Sequence, residues 1–342
     1  GVHVALSMAG GMVGRFGSRK VTLGAGISLC LVLPFLGLVS TPPALFIALF
    51  VFGVFLSTMD VAMNAQAVAV EQRAAKPLMS SFHAAFSIGG LAGALFGAAL
   101  AAQAVGTVTH FVIAAVLSLA VLLFSFRYLL EVSGEKQEGG RLFSLPPRIL
   151  WGLGFVAFCV AIGEGAMADW SGVYLAREIG TTAAFAALGF AAFSLTMTIG
   201  RLTGDWLATR FDGVKIVRFG GLLAAVGLMA AVFTSNEIIV LLGFAAVGAG
   251  MANGIPLAFS AAGNFSGITA SAGIAGVATI GYAGFLAGPP VIGLIAEATS
   301  LRVSLFLVAL LLGSLVFTAQ AIRPAGAFQL PQSDQASREP GA

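Results

Sequence analysis

Long apolar stretches separated by short polar breaks run along nearly the whole chain. Blocks such as 21–40 and 219–234 are continuously apolar, without the two-residue alternation of barrel strands, so they predict helices and exclude an outer-membrane barrel. Taking the polar breaks as loops predicts ten complete spans, at 21–40, 44–70, 79–103, 110–130, 149–175, 184–209, 214–233, 238–262, 269–298 and 303–322. The pattern therefore predicts an all-α, polytopic membrane helix bundle.

The composition agrees with a membrane protein and excludes most other classes. Of the 342 residues, 58% are hydrophobic and 9% are charged, whereas soluble domains carry roughly 25% charged residues. Cys30 and Cys159 both lie in apolar blocks, and we interpret them as packing residues. Because the sequence has no nucleotide-binding loop, metalloprotease pair or nucleophile elbow, we expect no enzyme activity, no cofactor and no bound metal.

The basic residues are distributed unevenly between the two sides of this topology. Of the 17 Lys and Arg residues, Arg177 and Arg302 fall in loops on one side, Arg201 lies inside a span, and the others fall on the opposite side. The positive-inside rule assigns the basic side to the cytoplasm. We therefore predict an inner-membrane protein with a cytoplasmic C-terminus. Because the same rule already explains the basic residues, we expect no nucleic-acid partner.

The chain contains an internal duplication. Arg15-Phe16 recurs as Arg210-Phe211, and the pattern Gly-x-Ala-Gly-x-Leu-x-Gly occurs at 90–97 and again at 281–288, each pair about 190 residues apart. Parallel six-helix repeats are an architecture of secondary transporters. We predict four segments, which are an N-terminal bundle at 1–130, an inter-half loop at 131–148, a C-terminal six-helix bundle at 149–322 and a disordered cytoplasmic tail at 323–342.

The first half is predicted to be incomplete. Residues 2–14 are apolar but would reach only about 20 Å as a helix, which is shorter than the roughly 30 Å hydrocarbon core. A second half with six spans implies a first half with six. We therefore expect the first span and part of the second to be missing from this chain, and we expect a chain so shortened not to transport.

Two motifs resemble those of the major facilitator superfamily. Residues 10–20 resemble the signature that follows the family's second span, although the family usually has an acidic residue where Gly14 stands. Residues 200–205 resemble the second-half version. The resemblance implies two six-helix halves that alternate access to a central site. It implies gating roles for Arg15, Gly17, Arg19, Lys20, Arg201, Asp205 and Arg210, and Arg201 and Asp205, four residues apart, are predicted to pair.

A finer resemblance is to proton-coupled fucose permeases. It rests on residues 59–66 and 81–89, in which the acidic residue corresponds to Asp60 and the asparagine to Asn64. This resemblance implies a symporter of a sugar or another small polar solute, driven by protons, and we expect it to be a monomer. The alternatives are a proton-driven exporter of drugs or metabolites, a non-transporting membrane sensor, and an inactive fragment.

Ionisable residues inside the spans are the candidates for the transport site, because a carboxylate at the bilayer centre costs at least about 2.5 kcal/mol. Asp60 lies about 16 Å along its helix from the basic side, so it is the first candidate for proton coupling, and Glu164 is the second. A structural hydrogen bond or ion pair is the alternative role for each. The predicted substrate contacts are Asn64, Gln66, His83, Asp169, Trp170, Asn253 and Tyr282.

Several of these residues also have a simpler structural interpretation. His83 and Gln66 lie at similar depths and could pair with each other. Asp169 could hold Arg177, and Trp170 could be an interfacial anchor. The glycines of 89–93 and 284–288 predict close helix contacts, and Pro256, Pro289 and Pro290 predict bent or broken helices.

Overall fold

The computed structural model describes residues 2–131 and 147–322. Thirteen α-helices lie in these ranges, namely α1 Val2–Phe16, α2 Ser18–Leu38, α3 Pro42–Ala74, α4 Met79–Ala102, α5 Thr107–Phe126, α6 Trp151–Tyr174, α7 Ala183–Arg210, α8 Gly213–Val232, α9 Glu237–Met251, α10 Gly254–Gly263, α11 Ala270–Ala298, α12 Leu301–Gly313 and α13 Leu315–Thr318. Most of the predicted inter-half loop and the whole predicted tail fall outside the described residues.

A helix lies at each of the ten predicted spans, and α1 occupies the apolar segment that precedes them. Within residues 2–131 and 147–322, nine spans are long and apolar enough to cross a membrane. One span is made of α9 and α10, and another of α12 and α13. The predicted all-α membrane bundle is therefore confirmed.

The two halves, α1–α5 and α6–α13, meet along a few helix pairs. Helix α1 packs against α11, and α4 packs against α7. Helix α10 contacts both α3 and α4, and α11 also contacts α3. The interface between the halves is thus made by α1, α3 and α4 on one side and by α7, α10 and α11 on the other.

Helices of the second half begin at side chains that cap their first turn. The side-chain oxygens of Thr182, Asp212, Asn236, Thr269 and Ser300 accept hydrogen bonds from backbone N–H groups two or three residues later. Each such cap stabilises a helix by about 1 kcal/mol. These five sites explain where α7, α8, α9, α11 and α12 start.

The effect of proline on helix continuity and of glycine on helix packing differs between the spans. Ala252 and Asn253 separate α9 from α10, close to Pro256, whereas α11 continues through Pro289 and Pro290. A Cβ at Gly284 would lie 2.7 Å from the Phe158 carbonyl oxygen, so α11 packs closely on α6 there.

The three glycines of α4 within residues 89–93 do not make such a contact. A Cβ built on Gly89, Gly90 or Gly93 would meet no described atom within 4 Å. The prediction of a close helix contact at residues 89–93 is therefore wrong, because this face of α4 borders open space rather than a neighbouring helix.

Candidate functional site

One end of the bundle carries the loops that contain most of the Lys and Arg residues. These loops include Arg15, Arg19 and Lys20, then Arg73 and Lys76, then Arg210 and Lys215. We call this end of the molecule the basic end. Contacts between the halves lie at the basic end and near the middle of the helices.

The first polar cluster surrounds Asp60, near the middle of α3. Tyr282 of α11 donates its hydroxyl to Asp60 Oδ2 at 3.1 Å, and the Asn64 side-chain amide donates to Asp60 Oδ1 at 3.1 Å. Asp60 is half-buried and Asn64 is buried. The structure thus brings together three residues predicted as site residues, with the acid in one half and the tyrosine in the other.

The second cluster joins Glu164 of α6 to Arg201 of α7. Arg201 Nη2 donates to Glu164 Oε1 at 2.7 Å, and Arg201 Nη1 donates to the Ser87 hydroxyl of α4 at 2.9 Å. Arg201 therefore does not pair with Asp205, and that prediction is wrong. Its guanidinium reaches towards α6 and α4, whereas the Asp205 carboxylate, one turn away, reaches the start of α4.

Asp205 caps a helix that belongs to the other half. Its two carboxylate oxygens accept hydrogen bonds from the backbone N–H groups of Ser80 and Ser81, each at 2.9 Å. These N–H groups belong to the first turn of α4, where a helix has no internal acceptors and attracts negative charge. Asp205 therefore ties α7 to α4 across the interface.

Glu71 completes the cap of the same helix. Its Oε1 atom accepts from the N–H groups of Leu78 at 2.9 Å and Met79 at 3.1 Å, and its Oε2 atom accepts from the Ser260 hydroxyl of α10. The two acids together bind four consecutive N–H groups at the start of α4. Glu71 is 4% exposed. It was not among the sequence-predicted site residues, and its signal in the sequence is an acid near the end of a span, which does not identify the helix that it caps.

Asn253 lies between the same helices. Its Oδ1 atom accepts from the Ser80 hydroxyl at 2.9 Å, and its Nδ2 atom donates to the Gly200 carbonyl at 3.2 Å. A Cβ at Gly204 would lie 1.9 Å from Asn253 Oδ1. Asn253, predicted to contact substrate, takes part in the contact between the halves in this arrangement. We call the contacts of Glu71, Asp205 and Asn253 the basic-end gate.

Gln66 is committed to a contact within the first half. Its Nε2 atom donates to the Ser18 hydroxyl and to the Leu130 carbonyl, both at 2.7 Å, and its Oε1 atom accepts from the Leu130 N–H at 2.9 Å. The predicted pair of Gln66 with His83 is therefore wrong. Gln66 is six residues after Asp60, which places their side chains about 120° apart around the helix.

His83 faces the second half. Its ring centroid lies 5.8 Å from that of Phe259 in α10. Its Nε2 atom is buried and has no hydrogen-bond partner among the described residues. His83 is also close enough to Arg201 for the two to interact electrostatically.

Asp169 and Trp170 lie towards the other end of α6. Asp169 is exposed, and among the described residues no ion pair joins it to Arg177. Trp170 is half-buried against α11, where a Cβ at Gly293 would lie 3.0 Å from its ring. Its position agrees with a packing role, and its indole N–H is buried without a described partner.

The basic residues of the first motif make contacts inside their own half. Arg19 forms an ion pair with Glu131, and its guanidinium lies 4.5 Å from the centroid of the Phe126 ring. Arg15 and Lys20 are exposed. Arg19 therefore joins the start of α2 to the end of α5 and the segment that follows it.

Gly17 and Arg210 also act locally. Gly17 separates α1 from α2 with a φ of 82°, a conformation that side-chain-bearing residues rarely adopt. The Arg210 guanidinium lies 4.5 Å from the Trp206 ring centroid, within α7. Neither of these contacts crosses between the halves.

A cavity of about 300 Å³ lies between the halves at the basic end. Gly14 of α1 lines it on one side, and Thr269 and Ser271 at the start of α11 line it on the other. Gln72 also lines it and donates a hydrogen bond to Asn264 Oδ1 at 2.9 Å across the interface. The cavity thus lies where the signature motif lacks its usual acid.

Comparison with known proteins identifies the family. The family model of the Major Facilitator Superfamily matches residues 2–174 and 153–338. The chain belongs to the major facilitator superfamily. A Yersinia pestis relative, named as an uncharacterized MFS-type transporter, is 39% identical over 322 residues, which cover 94% of this chain and 84% of the relative.

Solved structures of the family share this fold. The E. coli transporter FucP in its outward conformation superposes with a TM-score of 0.75 and 17% identity, over 94% of this chain and 87% of FucP. The human organic anion transporter MFSD10 has the same TM-score and identity, over 93% of this chain and 80% of MFSD10. The fold and the family are those of membrane transporters.

Proposed function

We propose that this transporter couples the movement of protons to that of a sugar or another small polar solute, through alternating access. The single observation that carries this proposal is the hydrogen bond between Asp60 and Tyr282. It places an acid that is costly inside a membrane at the interface between two halves that move relative to each other.

The basic-end gate supports alternating access. With the basic end in the cytoplasm, the contacts of Glu71, Asp205 and Asn253 close the cytoplasmic side. These are hydrogen bonds between separate helices, so the halves can separate there without unfolding a helix. When the gate opens, solute and protons reach the middle of the bundle from the cytoplasmic side and no longer from the opposite side.

Asp60 is the proposed proton carrier. As a carboxylate it accepts hydrogen bonds from Asn64 and Tyr282. A proton that binds to Asp60 removes the charge, which makes the acid less costly to enclose while the halves reorient. Release of the proton on the cytoplasmic side returns the carboxylate to its two donors.

The proposed solute contacts are Asn64 and Tyr282, which touch this acid, and His83, which lies near Arg201. Asn64, His83 and Tyr282 come from α3, α4 and α11, so together they represent both halves. FucP, whose fold this chain shares, is named a fucose:proton symporter. Hydroxyl-bearing solutes match the donors and acceptors that these side chains provide.

The experiment that tests this function is gradient-driven uptake by the full-length protein in proteoliposomes. An imposed inward proton gradient should concentrate a radiolabelled sugar inside the vesicles, and Asp60→Asn should abolish this accumulation. Glu237→Gln, which changes an exposed acid at the start of α9, is the control and should leave it intact. Expulsion of a cationic dye in place of sugar uptake would identify an exporter, and accumulation that survives Asp60→Asn would contradict the proton assignment.

A further inference from the structure

Arg201 is a buried cation near the middle of the bundle. It is 7% exposed and lies about 14 Å along α7 from Arg210. Its two terminal nitrogens each have one partner, which are Glu164 and Ser87, whereas its Nε atom is buried without a partner among the described residues. The guanidinium therefore keeps donors that no described group uses.

We propose that Arg201 binds a carboxylate of the transported solute and that Glu164 occupies this place in the empty carrier. This inference rests on the proposed transport function and names its substrate class, a small solute with a carboxylate such as a sugar acid. A guanidinium presents parallel N–H donors that match the two oxygens of a carboxylate. The acid already bound to Arg201 has this same chemistry.

Charge balance favours an anionic solute over a neutral one. A buried charge that loses its partner is destabilised by several kcal/mol, so a neutral sugar could not replace Glu164 beside Arg201. A carboxylate can replace it if Glu164 takes up one proton at the same time. The net charge of the site is then unchanged, and one proton and one solute carboxylate cross the membrane together.

The proton has a defined path in this exchange. It binds to a Glu164 carboxylate oxygen from the side on which the solute enters, which breaks the ion pair with Arg201. The solute carboxylate then accepts hydrogen bonds from the free N–H groups of Arg201. After reorientation the solute leaves, Glu164 releases its proton to the other side, and the ion pair forms again.

Movement of the two halves relative to each other changes the hydrogen bonds of Arg201. Ser87, which accepts a hydrogen bond from Arg201 Nη1, belongs to α4 in the first half, whereas Glu164 and Arg201 both belong to the second. Separation of the halves at the interface of α4 and α7 removes this contact. One donor of Arg201 thus depends on which side of the carrier is open.

Few other charged groups face Glu164. Arg201 of α7 is its ion-pair partner, and Tyr282 of α11 interacts with it electrostatically. Across the interface, Asp60 of α3 is bound to Tyr282, and His83 of α4 is near Arg201. The remaining charged residues of α6 and of the helical segments packed on it lie nearer the helix ends, and these are Arg148, Asp169, Arg177, Glu178, Asp205, Arg210, Glu237, Glu297 and Arg302.

The test measures binding to the full-length protein in nanodiscs, by thermal shift and tryptophan fluorescence. The probes are two matched pairs, glucuronate with glucose and lactate with 1,2-propanediol, in which only one member carries a carboxylate. We expect at least one carboxylate to bind at least about tenfold more tightly than its neutral partner. Its affinity should fall about tenfold per pH unit above the titration of Glu164, because one proton is taken up with the solute.

Variants separate the two roles. Glu164→Gln should keep carboxylate binding and lose its pH dependence, and Arg201→Gln should lose the binding. The double variant Glu164→Gln/Arg201→Gln leaves no lone buried charge, so it should fold and still not bind. Glu178→Gln is the control, because Glu178 pairs with Arg302 at 3.6 Å away from this site; it should bind like the unchanged protein.

Three results would overturn the inference. They are equal binding of both members of each pair, no binding of either carboxylate, and carboxylate binding that survives in the folded double variant. Failure of the proposed function is a separate outcome. If a proton gradient accumulates a neutral sugar through Asp60 while no carboxylate binds, the transport proposal stands and the assignment to Arg201 is wrong.

Discussion

Tyr282 in the second half donates its hydroxyl to Asp60 in the first half, with 3.1 Å between the two oxygens. This hydrogen bond lies deeper in the bundle than the basic-end gate, yet it also joins the halves. The group proposed to carry the proton is therefore part of the interface that must open and close.

Removal of this hydrogen bond should favour opening of the basic end. Tyr282→Phe keeps the ring and deletes one hydrogen bond to a charged acceptor, which is worth about 1.5–3 kcal/mol. The populations of closed and open carrier should then shift about tenfold or more towards the open form. Disulfide formation in the double variant Gln72→Cys/Asn264→Cys measures closure, because these side chains are hydrogen-bonded across the basic end.

An unrelated tyrosine provides the control for this change. Tyr128, two residues after the end of α5, is 66% exposed, so Tyr128→Phe should leave the disulfide yield unchanged. An unchanged yield in Tyr282→Phe would show that the bond to Asp60 does not contribute to closure.

Asp205 should hold the basic-end gate closed. Asp205→Ala leaves the N–H groups of Ser80 and Ser81 without their acceptors, at a cost of about 1–3 kcal/mol to the closed form. We expect a lower disulfide yield between positions 72 and 264. Asp212 is the matched control, because it caps α8 inside its own half; Asp212→Ala should lower the melting temperature and leave the relative yield unaffected.

Gly204 should tolerate no side chain. An added Cβ would lie 1.9 Å from Asn253 Oδ1 and 2.6 Å from the Ser80 Cβ, so Gly204→Ala must push apart two residues of the gate. We expect transport to fall by about tenfold or more, from a loss of about 1.4 kcal/mol or more.

Two further variants make this prediction specific. Gly89→Ala, in a helix with open space beside it, should fold well and keep transport. Addition of Asn253→Ala to Gly204→Ala should restore part of the activity, because it removes the closest of the contacts of the new methyl group and leaves those with Ser80. Activity that stays low in the double variant would point to a different clash.

Gln66 should contribute to stability and not to solute affinity. Gln66→Leu leaves the Ser18 hydroxyl and both backbone groups of Leu130 without this partner, so we expect a loss of about 1–3 kcal/mol in unfolding free energy. Thermal melting measures the loss, and the solute KM of the folded fraction should stay constant. A changed KM with unchanged melting would restore Gln66 as a substrate contact.

The fold could be predicted from the sequence because lipid imposes a simple pattern. Every span must satisfy its own backbone hydrogen bonds and face apolar chains, so the ten predicted spans follow from hydropathy alone. Asn64, one turn from Asp60, could also be placed beside it from the helical period.

The partners across the interface could not be predicted in this way. Arg201 has an acid four residues away, Asp205, and another in a different helix, Glu164. The helical period permits a pair of Arg201 with Asp205. The packing of α6 against α7 is what pairs Arg201 with Glu164, and the sequence does not show that packing. Glu71 appeared as the polar end of a span, because its role depends on the position of α4 and α10.

The basic-end gate is asymmetric between the repeats, and this suggests a substitution that strengthens it. Asp205 caps the start of α4, whereas Gly14 faces the start of α11 across the 300 Å³ cavity with no carboxylate. Gly14→Asp should place an anion near the N-terminal end of α11, which is worth about 0.3–1 kcal/mol. The disulfide yield between positions 72 and 264 should rise, and Gly14→Asn, which adds similar volume without charge, should raise it less. If the two variants behave alike, the filled volume and not the charge closes the gate.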